Sequence, residues 1–153
     1  MPFPSSGRLP RKLCVSRGGG GRKTSAEAWR GRRDNGRAFL AAAKALRDLA
    51  DEGSNGNPIM SQAINAAIAF ADALTIRFSG TKNTGEHSNV SVVLRRALGD
   101  RADPTQLQRL QRVVGRKDAT QYGHRQGTLD EARQLVEQCE RFAEWAERLL
   151  SGM

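Results

Sequence analysis

A chain of 153 residues can bury the core of one domain. Aromatic side chains are only 5% of it, and alanine crowds the stretch from Ala38 to Ala73, which speaks against a β-sandwich of Val, Ile and Tyr runs and for closely packed helices. The formal net charge of +9 invites a nucleic-acid reading, yet residues 1–37 hold ten Lys/Arg against Glu27 and Asp34, while the remainder holds 15 basic and 14 acidic residues.

The charge therefore belongs to an N-terminal arm, and the rest is nearly neutral. Residues 1–24 are rich in Gly, Pro and Ser, with four glycines at Gly18–Gly21, and carry too little apolar surface to order themselves. The expectation is a disordered basic arm over 1–24 followed by a folded unit over 25–153. Such an arm holds phosphates without sequence preference, which predicts weak RNA or DNA binding through it. Its charges are not followed by the apolar stretch of a signal peptide, and no apolar run approaches the roughly 18 residues of a membrane span. A cytoplasmic protein without a membrane anchor is expected. Cys14 and Cys139 stand far apart, without a C-x-x-C pair or a histidine at zinc spacing, so neither a metal nor a cofactor is expected.

Start and stop signals divide the folded part into five helices, an all-α up-and-down type of bundle. Thr24–Glu27 reads TSAE, the form of a capping box, and Phe39, Ala42, Ala43, Leu46, Leu49 and Ala50 follow as the inward stripe of a first helix ending near Asp51. Asn57-Pro58 supplies an N-cap and first-turn proline for a second helix. In that stretch Asp72 and Arg77 are the only charges, so most of its circumference must be buried and it must be central. Residues 79–89 read as a loop containing His87, a solvent-facing residue by composition. A short helix follows over about 90–98, with Val93, Leu94 and Leu98 inward. Asp103-Pro104 opens a fourth helix with the stripe Leu107, Leu110, Val113 and Val114, stopped at Gly123. Thr128–Glu131, TLDE, is a second capping box and opens a long fifth helix in whose apolar stripe Cys139 sits as an inert core thiol.

This order resembles the HEPN superfamily over roughly residues 26–150: two long helices, the second containing SQAINAAIAFADAL, then a loop, a short helix, and a helix ending in RKDATQYG before a long capped one. The resemblance implies a helical bundle, often homodimeric, in toxin–antitoxin or defence modules, with an adjacent gene supplying a partner protein. It also implies, for some members, a metal-independent RNase with an Arg-x(4–6)-His motif at the end of the fourth helix. The chemistry behind that motif is a group that moves a proton near neutral pH and a fixed cation on the scissile phosphate.

The candidates are Arg116, Lys117 and His124, and each register misses. Lys117 followed by polar Asp118 puts Tyr122 in the first histidine slot and His124 at the longest spacing, with Gly123 between them as a helix stop. Arg116 as the cation leaves His124 one residue too far. The string looks like relatives whose catalytic pair has degenerated, with the Tyr122 ring packed across the bundle and His124 exposed. Asp72, a carboxylate on the most apolar helix, must find a donor, and Arg116, Lys117 and Tyr122 are the expected partners, forming a polar cluster with Asp118. Two functions follow: a non-catalytic interaction domain of HEPN type in a toxin–antitoxin, defence or regulatory module, which is favoured, or an endoribonuclease toxin using Arg116 or Lys117 with His124. An unrelated helical bundle is the third alternative. The apolar surplus of the second and fifth helices predicts a homodimer.

Overall fold

In a computed structural model, residues 22–23 and 25–152 are described. The elements in chain order are β1 (Arg22–Lys23), α1 (Ala28–Leu49), α2 (Asn57–Ser79), β2 (Thr81–Lys82), α3 (Val90–Leu98), α4 (Pro104–Val114), α5 (Lys117–Gln121) and α6 (Leu129–Leu150). Single turns of 3₁₀ helix precede and follow α3, at His87–Asn89 and Gly99–Arg101. The class is all-α, as expected. Most of the basic arm, with Cys14 and Thr24, lies outside the described residues, but its last part does not: Arg22–Lys23 pair antiparallel with Thr81–Lys82.

The second helix is central, as its composition requires. From Ala66 to Ile76 every residue of α2 is buried, and α1, α3, α4, α5 and α6 all pack on it. By length and composition α2 could also cross a membrane, yet 83% of its most apolar 18-residue window is buried inside the bundle. The pairs Trp29 with Arg77, Arg32 with Asp72 and Gly36 with Phe70 show that α1 runs antiparallel to α2. Likewise Arg37 with Glu147 and Arg47 with Glu140 set α6 antiparallel to α1. On α6 the buried stripe includes Leu135, Val136, Cys139, Phe142, Trp145 and Ala146. Cys139 donates its S–H to the Ala63 carbonyl at 3.2 Å, and burial pushes the thiol up to about 12, which leaves it inert as expected.

The caps divide between expectation and surprise. Thr128 and Glu131 form the full capping box of α6, and the Asp103 side chain accepts from the Thr105 N–H at 2.9 Å at the start of α4. At α1, by contrast, the first turn follows Glu27 with no side-chain cap bond. Asn57 does not cap α2 either. Its Nδ2 donates to the Arg125 carbonyl and its Oδ1 accepts from the Gly127 N–H at 2.9 Å, so it fixes the loop before α6 to the start of α2.

Three further expectations are corrected. The fourth helix is not continuous: a Cβ at Gly115 would stand 2.9 Å from the Gln111 carbonyl, and at this kink α4 ends and α5 begins. The first-helix stripe is only partly inward. Ala43 is buried but Leu46 and Leu49 are 40% and 82% exposed, because α1 lies on α2 through its small residues Gly36 and Ala43. Finally, the apolar surplus of the second and fifth helices is consumed within the protomer, so it supplies no reason for a dimer.

Two glycines of α1 predict opposite effects. A Cβ at Gly36 would lie 2.9–3.1 Å from the buried Phe70 ring, whereas one at Gly31 meets nothing within 4 Å. Gly36→Ala should destabilise the fold by about 1–3 kcal/mol through overpacking. Gly31→Ala should stabilise it by about 0.5–1 kcal/mol through helix propensity. Urea unfolding of the two variants measures both signs.

Candidate functional site

Between the turn that opens α3 and the α4–α5 kink lies an open cleft of about 650 Å³. The packing of Val90 and Val114 in the core fixes its floor. Glu86, His87, Ser88 and Ser91 line one side, and Lys117, Asp118 and Tyr122 line the other. His87 and Tyr122 are exposed, Tyr122 to 76%. The Tyr122 ring therefore does not pack across the bundle: α5 is a single short helix after the kink, and its last turn carries the ring outward to the cleft rim.

On the other side of α5 is a smaller cavity of about 110 Å³, lined by Arg116, Thr120, Arg125 and Glu131, with Asn57 and Met60 beneath. Glu131 is its electrostatic centre. The carboxylate accepts from the Thr128 N–H at 2.9 Å, from Arg125 at 2.5 Å, and lies 3.7 Å from Arg116 Nη2. The capping bond first, then the two guanidiniums, hold its carboxyl below the usual range. The Nε of Arg116 and the Oγ1 of Thr120 are buried without a hydrogen-bond partner among the described residues.

The candidate residues are thus divided by one short helix. Lys117, Asp118 and Tyr122 face the cleft, Arg116 faces the small cavity, and His124 is exposed in the turn beyond and lines neither. The expected cluster with Asp72 does not form. Asp72 is 6% exposed and accepts from Arg32 Nη2 at 2.5 Å. Neither Arg116, which turns to Glu131, nor Lys117, which turns to the cleft, is its partner, because α1 covers that flank of α2. Burial raises the Asp72 carboxyl above its ordinary value, opposed by Arg32 and more weakly by His87 and Lys82. Sequence reading missed Arg32 and the place of His87 in the cleft. The only signal for Arg32 was that Asp72 required a donor.

Among the described residues no group of three or more His, Cys, Asp or Glu is placed to hold a metal. No protein-family model matches the chain, and no curated protein is significantly similar to it.

The Arg32–Asp72 pair yields a prediction with a defined pH sign. A carboxyl whose folded value is raised favours folding most when protonated, and that contribution is lost as pH rises through the folded value. Arg32→Met leaves burial to raise Asp72 further. The variant should lose about 3 kcal/mol at neutral pH, the cost of an uncompensated buried charge, and the loss should shrink on acidification toward 3.8, the ordinary value of the group. Lys117→Met should leave stability unchanged at both ends. Denaturant titrations across pH read the difference.

Proposed function

We propose that the chain is a non-catalytic helical interaction module of HEPN type, belonging to a cytoplasmic toxin–antitoxin, defence or regulatory system, and that its cleft receives a partner protein. The observation that supports this is the division made by α5, with Arg116 in one cavity, Lys117 in the other and His124 in neither. A metal-independent RNase needs the proton-moving group and the cation on the same phosphate. Here His124 stands apart from both Arg116 and Lys117, and Arg116 is already engaged by Glu131, so the motif's own pair is not assembled. His87 faces Lys117 across the cleft and is the histidine to test beside His124.

The cleft has the composition of a recognition surface. An exposed tyrosine stands at its rim, both signs of charge line its walls through Lys117, Glu86 and Asp118, and two serines add hydroxyls over an apolar floor. Homodimerisation belongs to the same proposal, with Leu46 and Leu49 of α1 as the apolar contact offered to a second copy.

Co-expression with the product of an adjacent gene tests the module. A stable complex should form, and Tyr122→Ala should weaken it by about 2 kcal/mol, roughly 30-fold, without lowering the thermal midpoint of the free protein. In parallel, purified protein with single-stranded RNA and excess chelator should leave no 2′,3′-cyclic phosphate ends. Cleavage that disappears in His124→Ala or His87→Ala would replace this reading with the endoribonuclease one.

A further inference from the structure

A ladder of guanidiniums and aromatic rings occupies the end of the bundle where the start of α1, the end of α2 and the turn after α3 meet. Trp29 carries three cations, with Arg30, Arg33 and Arg77 at 5.4, 5.2 and 5.7 Å from its ring centroid. Arg77 also stands 5.7 Å from the Phe78 centroid, and Arg101 approaches that ring to 5.0 Å. Four guanidiniums thus share two half-buried rings, with Arg77 as the link.

Carboxylates answer only half of this charge. Glu27 pairs with Arg30 and Asp34 with Arg33, while Arg77 and Arg101 form no ion pair among the described residues. Stability alone does not account for the gathering. Arg77 lies in the last turn of α2, where the helix dipole favours a cation, but that explains one charge of four. Exposed cation–π contacts contribute little each, and repulsion between like charges works against their convergence. What the ring contacts do achieve is to hold guanidiniums in place without engaging their N–H donors. The planar fork of such donors fits phosphate oxygens.

Two more observations point to the occupant. The pairing of β1 with β2, directly after the end of α2, brings the end of the basic arm to this same end of the bundle. The sequence before it adds Arg8, Arg11, Lys12 and Arg17. The large apolar side chains that a lipid surface would take up, Leu46, Leu49, Val92 and Tyr122, are not part of the ladder.

We infer that this face is a binding platform for single-stranded nucleic acid, with phosphates on Arg77 and Arg101 and bases stacked against the guanidinium and aromatic planes. It is a different surface from the cleft and takes a different class of partner, so neither proposal rests on the other.

The test is fluorescence anisotropy of labelled oligouridine with the full chain over a salt series. Arg77→Gln/Arg101→Gln should weaken binding by about tenfold or more, and should flatten the dependence of log K on log salt by about 1.4, two phosphates at roughly 0.7 each. Arg133→Gln/Arg141→Gln removes the same charge from α6 and should leave affinity and slope unchanged. Thermal unfolding should show all variants folded. Wild-type affinity and slope in the ladder variant would overturn the inference, as would an equal loss in the α6 variant. A duplex of equal length bound as tightly as the single strand would overturn it too. Binding to phosphatidylserine vesicles in the absence of oligouridine binding would assign the face to a lipid surface instead.

Discussion

The fold depends on the burial of α2. A helix whose residues from Ala66 to Ile76 are all inaccessible has no solvent face, so neighbours must close around its whole circumference. The alanines at positions 63, 66, 67, 69, 71 and 73 make that possible, because small side chains let the neighbouring axes come close. The same constraint fixes the rest. Gly36 of α1 gives way to the Phe70 ring, Cys139 of α6 meets the Ala63 carbonyl, and Asp72 forces a cation into an otherwise apolar layer.

What could be read from the sequence was whatever followed from local periodicity and chain punctuation. The centrality of the second helix, the proline-led start of α4, the capping box of α6 and the inert Cys139 all have their cause within a few residues of themselves. What could not be read depended on which elements meet. Asp72 announced the need for a donor, but α1 or α4 could equally have supplied it, and only packing chose Arg32. The core place expected of Tyr122 came from the resemblance of its string to HEPN relatives and from no periodicity in the chain itself. The direction of the Tyr122 ring was decided by the kink at Gly115, which a continuous helical pattern through residue 122 concealed. His87 gained its place in the cleft from a loop whose path carried no periodic signal.

Net charge misled for a similar reason. Residues 38–153 are almost neutral in sum, but Arg30 and Arg33 of the folded part fall before that stretch, and a sum has no geometry. Acidic residues of α6, Glu140 and Glu147, meet Arg47 and Arg37 of α1 on one flank, and so use up carboxylates that the other end of the bundle then lacks. The excess of cations around Trp29 and Phe78 is the counterpart of that segregation.

This division gives α1 an unusual attachment. It buries only Gly36 and Ala43 fully, and otherwise depends on half-buried side chains, on the Arg32–Asp72 pair and on exposed ion pairs to α6. Exposed pairs contribute about 0–1 kcal/mol each and weaken with salt. The small-residue face of α1 nonetheless packs along α2 more extensively than any other two elements meet. Trp29, Arg30 and Arg33 belong to α1, while α2 and the turn after α3 carry Arg77, Phe78 and Arg101. The Trp29 half of the ladder exists only while α1 is docked. A polyanion that bridges the two halves binds the docked state alone, and whatever free energy it gains there also holds α1 against the bundle.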